Sequence, residues 1–101
     1  MAQFDVYKNP GSRTSEQAPY LVEIQGRFVD SLSTCVVIPL VEKRYFTGAT
    51  VLNPVVIVNG VEYFLSTAEI TAVPRVILGQ PVASILPYRS DIITAIDRLL
   101  L

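Results

Sequence analysis

From Pro87 to Leu101 the apolar side chains Ile92, Ile93, Ile96, Leu99 and Leu100 recur at three- and four-residue spacing, which predicts an amphipathic helix. Arg89, Asp91, Thr94, Asp97 and Arg98 fall mostly elsewhere around it. Pro87 suits a first turn, where its missing N–H costs nothing. The helix runs into Leu99-Leu100-Leu101 with no glycine, basic cap or polar tail. Such an end is expected to pack against a partner, or to have lost a longer ending.

The rest of the chain reads as strands. Phe4 to Lys8 alternates, with Phe4 and Val6 on one face and Asp5 on the other, as a half-buried strand does. A polar loop, Asn9 to Pro19, separates it from a second alternating run, Tyr20 to Gln25, with Val22 and Ile24 facing away from Glu23 and Gln25. These two runs are expected to pair as a hairpin, ended or bulged by Gly26. Thr34 to Leu40 is continuously apolar and β-branched, the pattern of a central strand buried on both faces, with Pro39 expected to force its exit. Val41 to Asn53 is mixed in polarity and suggests short strand pieces and turns. Pro54 to Leu65 contains Asn59-Gly60, the pair that a two-residue type I′ turn requires, and predicts a β-hairpin. Ser66-Thr67-Ala68-Glu69 has capping-box spacing with room for one helical turn before Pro74. Ala72 to Leu78 predicts an edge-like or bulged strand interrupted by Pro74, and Gly79-Gln80-Pro81 turns the chain into the terminal helix. The sum is roughly six strands and one helix, a mainly β (α+β) fold in which a small antiparallel barrel or sheet carries a single helix.

Composition narrows the chemistry. A chain of 101 residues that is 50% hydrophobic is expected to be one domain, residues 1–101, small enough for oligomerisation to help it. The net charge of −1 comes without any block of like charges, so nothing holds a nucleic-acid backbone directly. The amino terminus has no basic-then-apolar leader, and the longest uncharged apolar stretch falls far short of the ~20 residues that span a bilayer, so the protein is expected to be soluble and cytoplasmic, with no membrane partner. Cys35 is the single cysteine and histidine is absent. One chain therefore assembles neither a zinc-type cluster nor a Ser-His-Asp or Cys-His set, and no metal or cofactor is expected. No glycine pattern cradles phosphate. Cys35 reads as a small buried hydrophobe, and Arg27, Arg44, Arg75 and Arg89 as solvated or ion-paired surface arginines.

Several stretches in register, Gln3-Phe4-Asp5-Val6-Tyr7, Leu21 to Gln25, Val36 to Leu40, Pro54 to Ile57, Ala72-Val73-Pro74 and Asp91 to Ile96, resemble the CcdB family of plasmid and chromosomal toxins. The resemblance spans almost the whole chain. It implies an SH3-like barrel of the CcdB/MazF type, a homodimer, and a CcdA-like antitoxin whose disordered tail wraps that dimer. It also implies a non-enzymatic activity, in which the toxin enters the dimerisation region of the GyrA subunit of DNA gyrase and traps the enzyme on cleaved DNA.

The family's gyrase poisons finish on Trp-Gly-Ile, which carries the gyrase contact. Alignment through Asp91-Ile92 and Ala95-Ile96 puts Leu101 at the tryptophan position, and the chain holds no tryptophan. The resemblance assigns gyrase contact to Leu99, Leu100 and Leu101, against the alternative that they pack on the barrel or on a twin helix. It assigns antitoxin binding to Gln3, Phe4, Gly26, Phe28, Val29 and Asp97. Gln3 and Phe4 match the family in identity, whereas Gly26, Phe28 and Val29 match only in position, and Phe4 also reads as core. Three functions follow: a gyrase-poisoning toxin, a CcdB-fold protein that dimerises and binds antitoxin but has lost gyrase poisoning or moved to another target, and, ranked last, a MazF-like endoribonuclease.

Overall fold

The computed structural model describes residues 3–11, 15–25, 32–45 and 50–101. Among the described residues seven strands, β1 (Asp5–Lys8), β2 (Tyr20–Glu23), β3 (Thr34–Glu42), β4 (Val55–Val58), β5 (Val61–Leu65), β6 (Thr71–Pro74) and β7 (Ala83–Ser84), precede one α-helix, α1 (Arg89–Leu100). All strand pairs are antiparallel, in the order β4-β5-β3-β2-β1-β7, with β6 on β3. The result is a mostly β, nearly closed, barrel-like sheet with a carboxyl-terminal helix, as the alternation patterns predict.

The β4–β5 hairpin turns on Asn59 and Gly60, with φ of 50° and 85° and Val58 paired to Val61. Both central residues occupy the left-handed region, so the strands keep their natural twist through the turn. β1 and β2 pair as expected, Val6 opposite Val22 and Tyr7 opposite Leu21.

Pro39 does not end β3, which runs on to Glu42. One edge of β3 pairs with β6 over Thr34–Val37 and with β5 over Leu40–Glu42, and Pro39 lies at the handover. A residue without an N–H loses no ladder bond there, and its carbonyl accepts the Ser66 N–H at 2.9 Å. β6 stops at Pro74, and a 3₁₀ turn, Arg75–Ile77, replaces the rest of the expected strand. The two-residue β7 and a 3₁₀ turn, Leu86–Tyr88, then precede the helix, which starts at Arg89. Pro87 therefore belongs to that turn, where its fixed φ is equally suitable.

The centre of the sheet, β1 to β3, is buried on both faces. On one, Phe4, Val6, Val22, Ile38, Leu40, Val56, Val58, Leu65 and Ile85 pack with Ile92 of α1. On the other, Tyr7, Leu21, Cys35, Val37 and Leu78 form a second cluster. β1 and β2 are thus not half-solvated: the face expected to be polar is covered, and Glu23 has no exposed surface. β2 also ends at Glu23, short of the expected Gln25. Beyond it, the Gln25 side chain does the work of a strand, its Nε2 donating to Thr34 O at 3.1 Å and its Oε1 accepting from Val36 N at 3.0 Å.

Candidate functional site

α1 is held to the barrel through a narrow contact. Ile92 and Ala95 are fully buried, Ile93, Ile96 and Leu99 are half-buried, and Leu100 is exposed. The contact line is rotated from the expected stripe because, at about 100° per residue, Ile92, Ala95, Ile96 and Leu99 share one face while Ile93 and Leu100 sit about 80–100° to its side. From Ala95 to Leu101 the helix advances about 9 Å.

The tip is apolar and open. Leu100 is 69% and Leu101 98% exposed. The Leu101 N–H closes the last turn on Asp97 O at 2.8 Å, and Arg98 in that turn suits the negative end of the helix dipole. Asp97 is exposed on the same turn. Within one chain Leu100 and Leu101 therefore do not pack on the barrel.

The expected antitoxin-binding residues are divided. Gln3 donates from Nε2 to Ile24 O at 3.0 Å, which fastens the start of the chain beyond the end of β2. Phe4 is core, 1% exposed, with a φ of 71° that is unusual for a bulky side chain. Its N–H donates to Glu23 O at 2.7 Å and its carbonyl accepts from Ile85 N at 2.9 Å. These bonds and the buried ring hold the left-handed backbone in place. Gly26, Phe28 and Val29 lie outside the described residues, as does Arg27.

A buried polar group that sequence reasoning missed occupies the second cluster. The Tyr7 hydroxyl donates to Glu23 Oε1 at 3.0 Å and Arg75 Nη2 donates to Glu23 Oε2 at 3.4 Å. Arg75, expected on the surface, points inward with a side chain 15% exposed. Cys35 lies beside them with no exposed surface. Burial, and then the Glu23 carboxylate, pushes its thiol pKa up, so it stays protonated and unreactive near neutrality. A signal for this cluster was present in Tyr7 and Glu23, which fall on one face of a paired hairpin, but alternation alone reads that face as solvated.

Other features carry less chemistry. Lys43 pairs with Glu62 at 2.9 Å and Arg44 with Glu42 at 2.8 Å on an exposed face. An open groove of about 540 Å³ separates the β4 side from the first turns of α1, lined by Thr50, Val51, Pro54, Val55, Asp91 and Thr94. Among the described residues no group of His, Cys, Asp and Glu could hold a metal ion, and no helix is long and apolar enough to cross a membrane. The family model described as CcdB protein matches residues 3–101. No curated protein sequence matches the chain.

Proposed function

Because the chain belongs to the CcdB family, the toxins of toxin–antitoxin modules, we propose that it is a single-domain toxin that acts by protein–protein contact on the GyrA subunit of DNA gyrase and is restrained by a CcdA-like antitoxin. The observation that carries this reading is the terminal helix, which projects Leu100 and Leu101, 69% and 98% exposed, beyond its buried anchors Ile92 and Ala95. An apolar tip on a rigid rod suits a contact made inside another protein. In this reading the toxin forms a homodimer in the cytoplasm, the tips of the two helices lie at its working face, and Asp97 and Gln3 lie where the antitoxin binds.

The test is to mix purified toxin with gyrase and supercoiled DNA and measure trapped, cleaved complex. Cleaved DNA that rises with toxin, and falls when the cognate antitoxin is added, is the expected result. No cleaved complex at high toxin would falsify the gyrase reading.

A second reading is favoured by Leu101, which stands where the family's gyrase poisons carry tryptophan. Leucine lacks both the indole N–H and the flat area that make tryptophan an interface anchor. On this reading the protein dimerises and binds antitoxin but acts on another target or on none. Growth arrest that persists in a gyrase-resistant host supports another target, and absence of arrest supports loss of toxicity.

A further inference from the structure

We infer that Tyr88 is a positioning residue that sets the direction of α1 and hence the place of its tip; this rests on the reading of that tip as the working end. Tyr88 immediately precedes the helix, and its side chain makes no capping hydrogen bond to the helix amino terminus. The residue fixes the entry by other contacts. Its N–H donates to Ile85 O at 2.9 Å, and Ile85 is core, 1% exposed. Its ring packs against the same core cluster, and its hydroxyl oxygen accepts the Ile57 N–H at 3.2 Å. Ile57 belongs to β4, the last strand of the sheet on that side, so this bond ties the start of the helix to the edge of the barrel.

The geometry is a lever. The fully buried contacts, Ile92 and Ala95, lie in the first two turns of α1. Tyr88 stands about 6–10 Å on one side of them along the axis, and Leu101 about 9–14 Å on the other, at 1.5 Å per residue. Ile92 and Ala95, with Ile96 half-buried on the same core, locate the middle of the helix, and the Tyr88 tie to Ile57 fixes its entry. Movement of about 1 Å at Tyr88 appears as about 1–2 Å at the tip. A misplacement of that size matters for an apolar end that must enter a shaped recess.

The test reads helix direction without gyrase. Spin labels at Lys8→Cys, at the end of β1, and Arg98→Cys, on the exposed side of the last turn, report the distance between barrel and tip, with an excess of unlabelled chain so that only pairs within one chain contribute. Tyr88→Phe removes the hydroxyl and keeps the ring. Leu21→Ala, a truncation on β2 in the second cluster on the other face of the sheet, lowers stability without touching the tie. The expected result is a distance distribution shifted or broadened by about 1–2 Å in Tyr88→Phe and unchanged in Leu21→Ala, with both variants cooperatively folded. An unchanged distribution in Tyr88→Phe, or the same change in both variants, overturns the inference. Because no gyrase enters this measurement, a parent chain that fails to trap gyrase defeats the reading of the tip and leaves the role of Tyr88 to be decided by the distances alone.

Discussion

Tyr7 and Glu23, on neighbouring strands and both without exposed surface, are joined by a 3.0 Å hydrogen bond from the phenol to the carboxylate. A buried carboxylate is tolerable only with donors and a counter-charge around it. Tyr7 supplies a donor, and Arg75, from the turn after β6, supplies the charge. Tyr7→Phe is expected to cost about 1–3 kcal/mol, and Arg75→Met about 3–5 kcal/mol because it leaves the carboxylate without its counter-charge. Urea denaturation of the two variants checks the order, which reverses if Glu23 depends more on the phenol than on the guanidinium.

Alkaline pH should weaken the same cluster. Burial, and then Glu23, raises the Tyr7 pKa, and the same causes raise that of Cys35. Each group keeps its proton in the folded chain at pH values where the unfolded chain has released it. The stabilisation is complete below the ordinary values of about 8.5 for cysteine and about 10 for tyrosine, and declines as pH rises past them. Tyr63, raised by burial and then by Tyr20, adds to the decline. Denaturation midpoints between pH 8 and 11 should therefore fall, and fall less steeply in Tyr7→Phe and Cys35→Ala.

Thr67 is fully buried, and its Oγ1 has no hydrogen-bond partner among the described residues. Thr67→Val replaces that hydroxyl with a methyl of similar size. The variant is expected to be as stable as the parent or more stable by about 1 kcal/mol, as thermal melting would show. A clear loss of stability would mean that the hydroxyl is satisfied.

At Gly60, with φ of 85°, an added Cβ meets no atom within 4 Å. Gly60→Ala therefore costs backbone strain alone, about 1–2 kcal/mol. A much larger loss measured by denaturation would show that the hairpin tip is packed in the active assembly.

Much of this fold was legible because local chemistry and tertiary structure agree. Asn59-Gly60 dictates its turn whatever surrounds it, and the apolar run from Thr34 to Leu40 has only an interior to occupy. The misreadings share one cause. Pro39, Tyr7 and Glu23 depend on which strand lies alongside, and alternation reads the same with or without a change of partner at Pro39 or a second layer over Glu23. The brief β7, Ala83–Ser84, is set by its pairing with Asp5 and Val6 rather than by its own residues. At the candidate site, the helix was legible from its period. The exposure of Leu100 and Leu101 was not, because the same leucines suit a packed end as well as a presented one.

The position of Leu101 yields a gain-of-function prediction. If the tip is the working end, Leu101→Trp restores a flat anchor with an N–H donor, worth about 2 kcal/mol or more at an interface centre. Binding to GyrA should tighten by more than about 10-fold. No change would place the determinants of activity elsewhere on the barrel.

The most direct test of the central claim is the affinity of the chain for the dimerisation region of GyrA, measured by calorimetry for the parent and for Leu100→Ser/Leu101→Ser. Both residues are exposed in the single chain, so the melting temperature of the variant should stay close to that of the parent. The expected affinity of the variant is at least about 10-fold weaker at unchanged stability. Equal affinity in parent and variant, or no binding by either, would contradict it.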